Sequence, residues 1–107
     1  MYCGFTFEDG GNPYITKTNK ALFDMLCEYD IKQVGARTFR VKLSRGWTGR
    51  KTYDDKKWLL REAAIDWLSS FPDMDYSYDD LAMWGDFFRE YGKKYGLLRE
   101  FAENGIC

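Results

Sequence analysis

The chain has 107 residues and a formal net charge of −1, so no global field favours nucleic acid or a membrane surface. At 45% hydrophobic and 31% charged residues, its composition is typical of a globular protein of one domain. It contains no histidine, which excludes histidine-activated nucleophiles and the commonest metal ligand. We therefore expect a single globular domain over residues 1–107, with no catalysis, no cofactor and no metal.

The three cysteines are scattered and form no CxxC pair, which argues against a zinc knuckle or a thioredoxin-type site. Such spacing favours reduced thiols, with Cys27 buried on a helix and Cys107 exposed. No apolar run approaches the roughly 18 residues that span a bilayer, and Met1–Gly4 lacks the pattern of a secretory leader. We expect a cytoplasmic protein with no membrane partner.

The first elements form a predicted β-hairpin over residues 3–16. Aromatic residues alternate along residues 3–7, and a β-branched pair follows Tyr14. Between them, residues 8–13 contain two glycines and a proline, which indicate a turn.

A helix and two strands follow in the predicted order. Thr18 or Asn19 caps a helix that runs to about Asp30, and residues 31–34 form a short strand. Residues 37–43 alternate most clearly, and Phe39, Val41 and Leu43 should face one side. The sequence predicts a half-buried strand with its polar side in water.

Two helical regions complete the chain. Thr52 begins a helix that Pro72 closes after about residue 70, and Ser77 begins the next one. Either one helix runs on to about residue 103 or two short helices join near Lys93, and two interior glycines favour the break. The order β-β-α-β-β-α-α predicts an α+β domain, with helices on one face of an antiparallel sheet of three to four strands.

Charge is distributed unevenly along the sequence. Residues 32–57 carry nine basic and two acidic side chains, whereas residues 73–90 carry six acidic and one basic. The two segments either pair with each other in the fold or remain apart as surfaces of opposite sign. This choice stays open at the level of the sequence.

The acidic segment is the preferred candidate for a binding site. Its carboxylates could follow a basic groove on another protein, and its tyrosines offer the flat contact area typical of binding hot spots. The alternative is a helix start whose acids favour the helix dipole. The candidate partner-binding residues are Asp73, Asp75, Tyr76, Tyr78, Asp79 and Asp80.

The basic strand and the loop after it suggest a different partner, single-stranded nucleic acid. Cations along a track with one aromatic side chain suit phosphates and a stacked base. The loop also contains a GxxG at 46–49, although KH domains place that loop between helices. The candidate nucleic-acid-binding residues are Arg40, Lys42, Arg45, Trp47, Arg50 and Lys51.

The last helices contain adjacent aromatic and apolar residues, such as Phe87–Phe88 and Met83–Trp84. Neighbouring side chains on a helix cannot all point the same way, so we expect some large apolar side chains to lie near the surface. A contiguous apolar patch would mark a protein interface or the seam of a homodimer.

The resulting expectation is a small non-enzymatic domain that binds a protein with a basic surface. A stoichiometric inhibitor of a nucleic-acid-handling defence enzyme, carried by a phage or mobile element, would fit this description.

Overall fold

The computed structural model describes residues 3–8, 10–44 and 52–106, and its backbone divides into two compact units, 1–50 and 51–107. In their described residues, the first unit holds four strands and one helix, and the second holds three α-helices and a 3₁₀ turn. This content confirms the α+β class and the predicted order of elements. A single domain over residues 1–107 stays a prediction.

The predicted hairpin over residues 3–16 is present. Strand β1 (Cys3–Phe7) pairs antiparallel with strand β2 (Tyr14–Thr16), and Gly10 adopts a φ of +88° in the turn between them. That backbone conformation favours glycine, which explains why the turn forms here. The Thr16 hydroxyl donates to the Cys3 carbonyl at 3.3 Å. This hydrogen bond compensates for the burial of the hydroxyl away from water.

Helix α1 (Asn19–Glu28) begins at the predicted cap. The Thr18 hydroxyl accepts from the Ala21 backbone N–H at 3.1 Å, which occupies one of the donors that a helix start leaves unpaired. Five of its ten residues are buried, and Cys27 is among them, as predicted. Cys107 lies outside the described residues.

The second hairpin joins strand β3 (Tyr29–Gln33) to strand β4 (Thr38–Ser44). Phe39 and Val41 are buried as predicted, and the Phe39 ring stacks on Phe5 at 4.9 Å. Leu43 is 61% exposed, so its predicted place beside them is wrong. A register shift between Asp30 and Ile31 forms a β-bulge just before this residue, which disrupts the ladder and ends the alternation.

The sheet has the strand order β2-β1-β4-β3, and its central pair, β1 and β4, is parallel. The sheet is therefore mixed, and the expectation of an antiparallel sheet holds only within the two hairpins. A parallel pair needs a crossover connection, which α1 supplies between the outer strands. Turn residues indicate local pairing alone, so the sequence did not reveal this central contact.

Helix α2 (Tyr53–Ser70) spans the predicted range, and a 3₁₀ turn (Phe71–Asp73) containing Pro72 follows it. Leu60, Ala64 and Trp67, spaced by four and three residues, are buried along one stripe of the helix. Leu68 and Phe71 are 40% and 38% exposed, so the far end of the stripe reaches the surface.

The last region is broken into two helices, as the glycines predicted. Helix α3 (Tyr78–Lys94) ends in a Schellman motif, in which the Leu97 backbone N–H donates to the Gly92 carbonyl at 2.7 Å. Gly96 supplies the positive φ of +71° that this motif requires, and helix α4 (Leu98–Glu103) follows. The chain then turns at Gly105, where φ is again positive at +73°.

Helix α3 is buried over a wider face than expected. Met83, Trp84, Phe87 and Phe88 are all 7% exposed or less, so neither of these adjacent pairs supplies the apolar side chains that were expected near the surface. Successive residues of a helix are about 100° apart, and a buried face of about 180° accommodates both members of a pair. Exposed apolar side chains occur at other positions, at Trp58, Ile65 and Leu68 of α2 and at Leu81 of α3.

Candidate functional site

Helices α2 and α3 begin with the same four-residue pattern, a hydroxyl residue followed by Tyr-Asp-Asp. In α2 the Thr52 hydroxyl accepts from the Asp55 N–H at 3.2 Å, and the Asp55 carboxylate accepts from the Thr52 N–H at 3.0 Å. In α3, Ser77 and Asp80 exchange the equivalent bonds at 3.1 and 3.0 Å. Each pair is a capping box, in which side chains occupy backbone donors that the helix cannot pair.

The two tyrosines at the first position of these helices have different surroundings. The Tyr53 hydroxyl donates to the Lys94 carbonyl at 3.4 Å, and the Tyr53 ring lies 5.0 Å from that of Tyr95. Tyr78 is 87% exposed and has no hydrogen bond or ring contact to any residue that the structure describes. The same local motif therefore leaves Tyr53 54% exposed, with a hydrogen bond and a ring contact, and leaves Tyr78 87% exposed, with neither among the described residues.

The carboxylates around Tyr78 divide into two groups. Asp75 and Asp79 are exposed and form no ion pair or hydrogen bond within residues 3–8, 10–44 and 52–106. Asp80 is half-buried and is part of the capping box. The side chain of Asp73 lies outside the described residues.

Tyr76 is part of the packing rather than of the open surface. Its hydroxyl lies 3.0 Å from the Ser70 Oγ, and its ring lies 5.0 Å from Phe71 and 5.8 Å from Trp67. The side chain is half-buried. Of the six predicted partner-binding residues, Asp75, Tyr78 and Asp79 are thus exposed within a stretch of five residues, and we refer to these three as the acidic tyrosine surface.

Leu81 is an exposed residue that the sequence analysis did not assign to this surface. It lies one turn after Tyr78, on the same side of α3, and is 37% exposed. The spacing of three residues from Tyr78 was the available signal. Its helical spacing to Trp84 and Phe88 predicts instead a place on the same face as those buried side chains.

The charge of the two units differs in sign. Residues 1–50 carry eight basic and five acidic side chains, net +3, and residues 51–107 carry eight basic and twelve acidic, net −4. Within the acidic unit, Asp86 is paired with Arg89 at 3.1 Å on its own helix. The acidic tyrosine surface therefore belongs to the unit with the negative balance.

The predicted nucleic-acid-binding residues fall partly outside the described chain. Arg45, Trp47, Arg50 and Lys51 lie outside the described residues, while Arg40 and Lys42 are exposed on β4. The cross-strand register sets Lys32 of β3 opposite Arg40. Lys32 was not among the predicted site residues, although its exposure between half-buried neighbours follows from strand alternation.

A groove of about 350 Å³ lies along α2 and α4, and its walls are mostly apolar. Its one carboxylate is Glu100, which accepts from Arg61 Nε at 2.8 Å and from Arg61 Nη2 at 3.3 Å. This contact raises the pKa of the Arg61 guanidinium, chiefly through the hydrogen bond to Glu100. The polar part of the groove's described lining thus includes this ion pair between α2 and α4.

Among residues 3–8, 10–44 and 52–106, no group of three or more Cys, Asp or Glu side chains is arranged to hold a metal ion. In the same residues, no helix combines the length and apolar character needed to cross a bilayer. No family model, curated protein or solved structure matches the chain. The geometry of its surfaces is therefore the basis for a functional proposal.

Proposed function

We propose that this protein is a non-enzymatic binding domain that engages a protein with a basic surface through Asp75, Tyr78 and Asp79. The observation that carries the proposal is the 87% exposure of Tyr78 at a helix start whose counterpart in α2, Tyr53, has a hydrogen bond and a ring contact. A tyrosine that only supports its helix should resemble Tyr53. Tyr78 has a large amphipathic side chain, which makes no hydrogen bond or ring contact with the described residues.

The chemistry of this surface fits the anatomy of protein interfaces. Tyrosine is enriched in binding hot spots, where an aromatic anchor enters a pocket and polar groups surround it. Leu81 extends the apolar centre, and Asp75 and Asp79 supply a rim of negative charge. The net charge of −4 on residues 51–107 would steer a basic partner toward this unit.

Inhibition is the finer form of the proposal. Enzymes that handle nucleic acid bind phosphates through basic grooves, and carboxylates on a small rigid domain could occupy such a groove in place of the substrate. We extend the proposal to a cytoplasmic stoichiometric inhibitor of a nucleic-acid-handling defence enzyme, of the kind that a phage or mobile element would carry. Its support is charge complementarity alone.

The test compares capture of a partner by four forms of the tagged protein. The wild type should retain a basic protein from the lysate of the source cell. Tyr78→Ala and the double variant Asp75→Asn/Asp79→Asn should lose it at the same salt concentration. A purified partner should then bind more slowly as salt rises, because the steering is electrostatic.

Asp54→Asn is the matched control, because Asp54 is the exposed second residue of α2 as Asp79 is of α3. It changes the same charge at the same helical position and should leave capture unchanged. Circular dichroism would establish that every variant is folded. Equal capture by the wild type, Tyr78→Ala and the double variant would remove this surface from the proposal.

The inhibition step has its own test. When the captured partner is a nuclease or another nucleic-acid enzyme, its activity should fall linearly to an end point at one protein per active site. Tyr78→Ala should shift that titration to higher concentration. Binding without loss of activity would contradict inhibition and leave the binding proposal standing.

A further inference from the structure

The exposed face of the sheet carries a row of polar and basic side chains across three strands. Arg40 of β4 pairs in register with Lys32 of β3 on one side and with Thr6 of β1 on the other. All three side chains are exposed, on the face opposite the buried Phe5 and Phe39. Neighbouring strands are about 4.8 Å apart, so the row spans roughly 10 Å.

Lys42 extends this row along β4. The register passes from Val41 opposite Ile31 to Leu43 opposite Asp30, so Lys42 is the residue that the bulge leaves without a partner on β3. It is exposed two residues beyond Arg40. Bulges often redirect a side chain beside a binding site. We refer to Lys32, Arg40 and Lys42 as the basic sheet face.

This arrangement is unfavourable for the isolated sheet. Like charges directly opposite each other on an antiparallel pair repel, whereas an acid opposite a cation stabilises the pair. The side chains of Lys32, Arg40 and Lys42 have no hydrogen bond or ion pair to the residues that the structure describes, and the exposed Asp30, two residues before Lys32 on β3, leaves this face with a cationic excess. An anion that contacts all three side chains would offset the repulsion between them by its attraction to each.

We propose that the basic sheet face binds the phosphodiester backbone of single-stranded nucleic acid. Three cations within about two strand spacings match a polyanion rather than a single carboxylate. The Thr6 hydroxyl, at the end of the row, donates to the Phe39 carbonyl at 3.4 Å, so it can only accept a further hydrogen bond, for example from a sugar hydroxyl. The net charge of +3 on residues 1–50 supports the approach of such a strand.

The shape of the face favours a single strand over a duplex. The major groove of B-DNA admits a helix or a two-stranded ribbon, whereas this face belongs to a four-stranded sheet. A flexible strand can lie on an open sheet and place successive phosphates over the cations. The row itself has no aromatic side chain, so the contacts fall on the backbone and binding should be insensitive to base sequence.

Fluorescence anisotropy with labelled oligonucleotides of about 20 nucleotides tests the proposal. Contact with three phosphates predicts a logarithmic salt slope of about −2 for a single strand, which weakens binding roughly twentyfold between about 50 and 200 mM salt. In Lys32→Gln/Arg40→Gln one cation remains, and the same change in salt should weaken binding only about threefold. Oligothymidine and a mixed sequence should bind alike.

Lys17→Gln is the matched control, since Lys17 is exposed in the same unit, between β2 and α1, and away from the face. It should leave both affinity and salt slope unchanged. The melting temperature of Lys32→Gln/Arg40→Gln should stay level or rise, because the opposed charges are removed. A purely structural role for these residues would lower it.

Three results would overturn the proposal. They are the absence of salt-dependent binding at about 50 mM salt, a Lys17→Gln effect equal to that of the double variant, and tighter binding of duplex than of single strand. Binding to phosphatidylserine vesicles without binding to oligonucleotides would assign the face to a lipid surface instead. None of these results bears on Tyr78, which lies in the other unit, so the two proposals fail independently.

Discussion

Two glycines in the middle of α3 have opposite surroundings. A Cβ added at Gly85 would meet no atom within 4 Å, whereas one at Gly92 would lie 2.9 Å from Cδ2 of the buried Phe101 ring. Glycine inside a helix costs about 1 kcal/mol relative to alanine. Gly92 therefore permits close packing of α3 on α4, and Gly85 has no such role in the described fold.

Substitution by alanine should separate these roles. We expect Gly85→Ala to raise the free energy of unfolding by about 0.5 to 1 kcal/mol through helix propensity. Gly92→Ala should lower it by about 1 kcal/mol or more, because overpacking against Phe101 exceeds the gain in propensity. Urea unfolding followed by circular dichroism measures both changes. Stabilisation by both variants would contradict the packing role of Gly92.

Trp67 places a polar atom in an aromatic cluster. The side chain is 5% exposed, its rings lie near Phe71, Tyr76 and Phe88, and its buried indole Nε1 has no hydrogen-bond acceptor in the part of the chain that the structure describes. An unpaired buried donor costs about 1 to 3 kcal/mol.

Replacing the indole by a phenyl ring should therefore change the free energy of unfolding less than is usual for so large a buried side chain. In Trp67→Phe, the removal of the unpaired N–H offsets the lost packing, and we expect a change within about 1.5 kcal/mol. Phe88→Ala, which only removes packing, should cost about 3 to 5 kcal/mol. Comparable losses in the two variants, measured by urea unfolding, would show that the N–H is satisfied in solution.

At the scale of elements, the capping box of α2 gives the protein a pH dependence. The pKa of the Asp55 carboxyl is lowered chiefly because it accepts a hydrogen bond from the Thr52 backbone N–H, with the Thr52 side chain adding to the effect. A lowered pKa in the folded state means that the ionised carboxylate stabilises the fold. This stabilisation is complete above the unfolded pKa of about 3.9 and is lost as pH falls through the lower folded value.

We expect the wild type to lose more stability than Asp55→Asn when the pH falls from about 5 to about 3. The variant has no carboxylate to protonate at this position, and its amide oxygen can still accept from the cap. Urea unfolding at each pH measures the difference. Asp54→Asn serves as the control, since Asp54 is exposed beside it and takes no part in the box. Parallel pH profiles for the wild type and Asp55→Asn would contradict this role.

Most elements could be predicted from the sequence because their signals are local. Thr52, Ser77 and Thr18 mark helix starts by chemistry that needs only the next three residues. The strand order could not be predicted, because nothing near Phe5 or Phe39 encodes that they pair in parallel. The exposure of Leu43 was missed for a related reason, since the bulge beside it depends on the register of another strand.

The sequence predicted the segment that contains the candidate surface, but only the packing in the structure shows which of its residues are exposed. Local charge identified the stretch from Asp73 to Asp80, but the sequence does not distinguish a tyrosine that packs from one that does not. Tyr76 contacts Ser70 and Phe71, while Tyr78, two residues later, points into solvent. Whether each tyrosine packs or stays exposed depends on where it lies relative to α2 and the 3₁₀ turn.

At the scale of the whole molecule, charge and secondary structure divide at the same place. The strands lie in the unit with net charge +3, and α2, α3 and α4 lie in the unit with net charge −4. The two proposed partners, a polyanion and a basic protein, correspond to this division. Each proposal can therefore be tested with variants confined to one unit.

Cooperativity between the units can be measured directly. Trp58, Trp67 and Trp84 all lie in the second unit, so in Trp47→Phe the tryptophan fluorescence reports that unit alone. If residues 1–107 form one domain, the fluorescence and the far-ultraviolet circular dichroism should change at the same urea concentration. Separate transitions would identify two domains and contradict the prediction of one.

The parallel contact between β1 and β4 also has a kinetic consequence. Each hairpin closes a short stretch of chain, but the contact of Gly4 with Thr38 must wait until α1 and the second hairpin have formed. Such non-local pairings are the slow steps of folding. We expect refolding to form the two hairpins early and to join them late, with amide protection at Phe39 arising after that at Lys32. Simultaneous protection in pulsed hydrogen exchange would mean that the sheet assembles in one step.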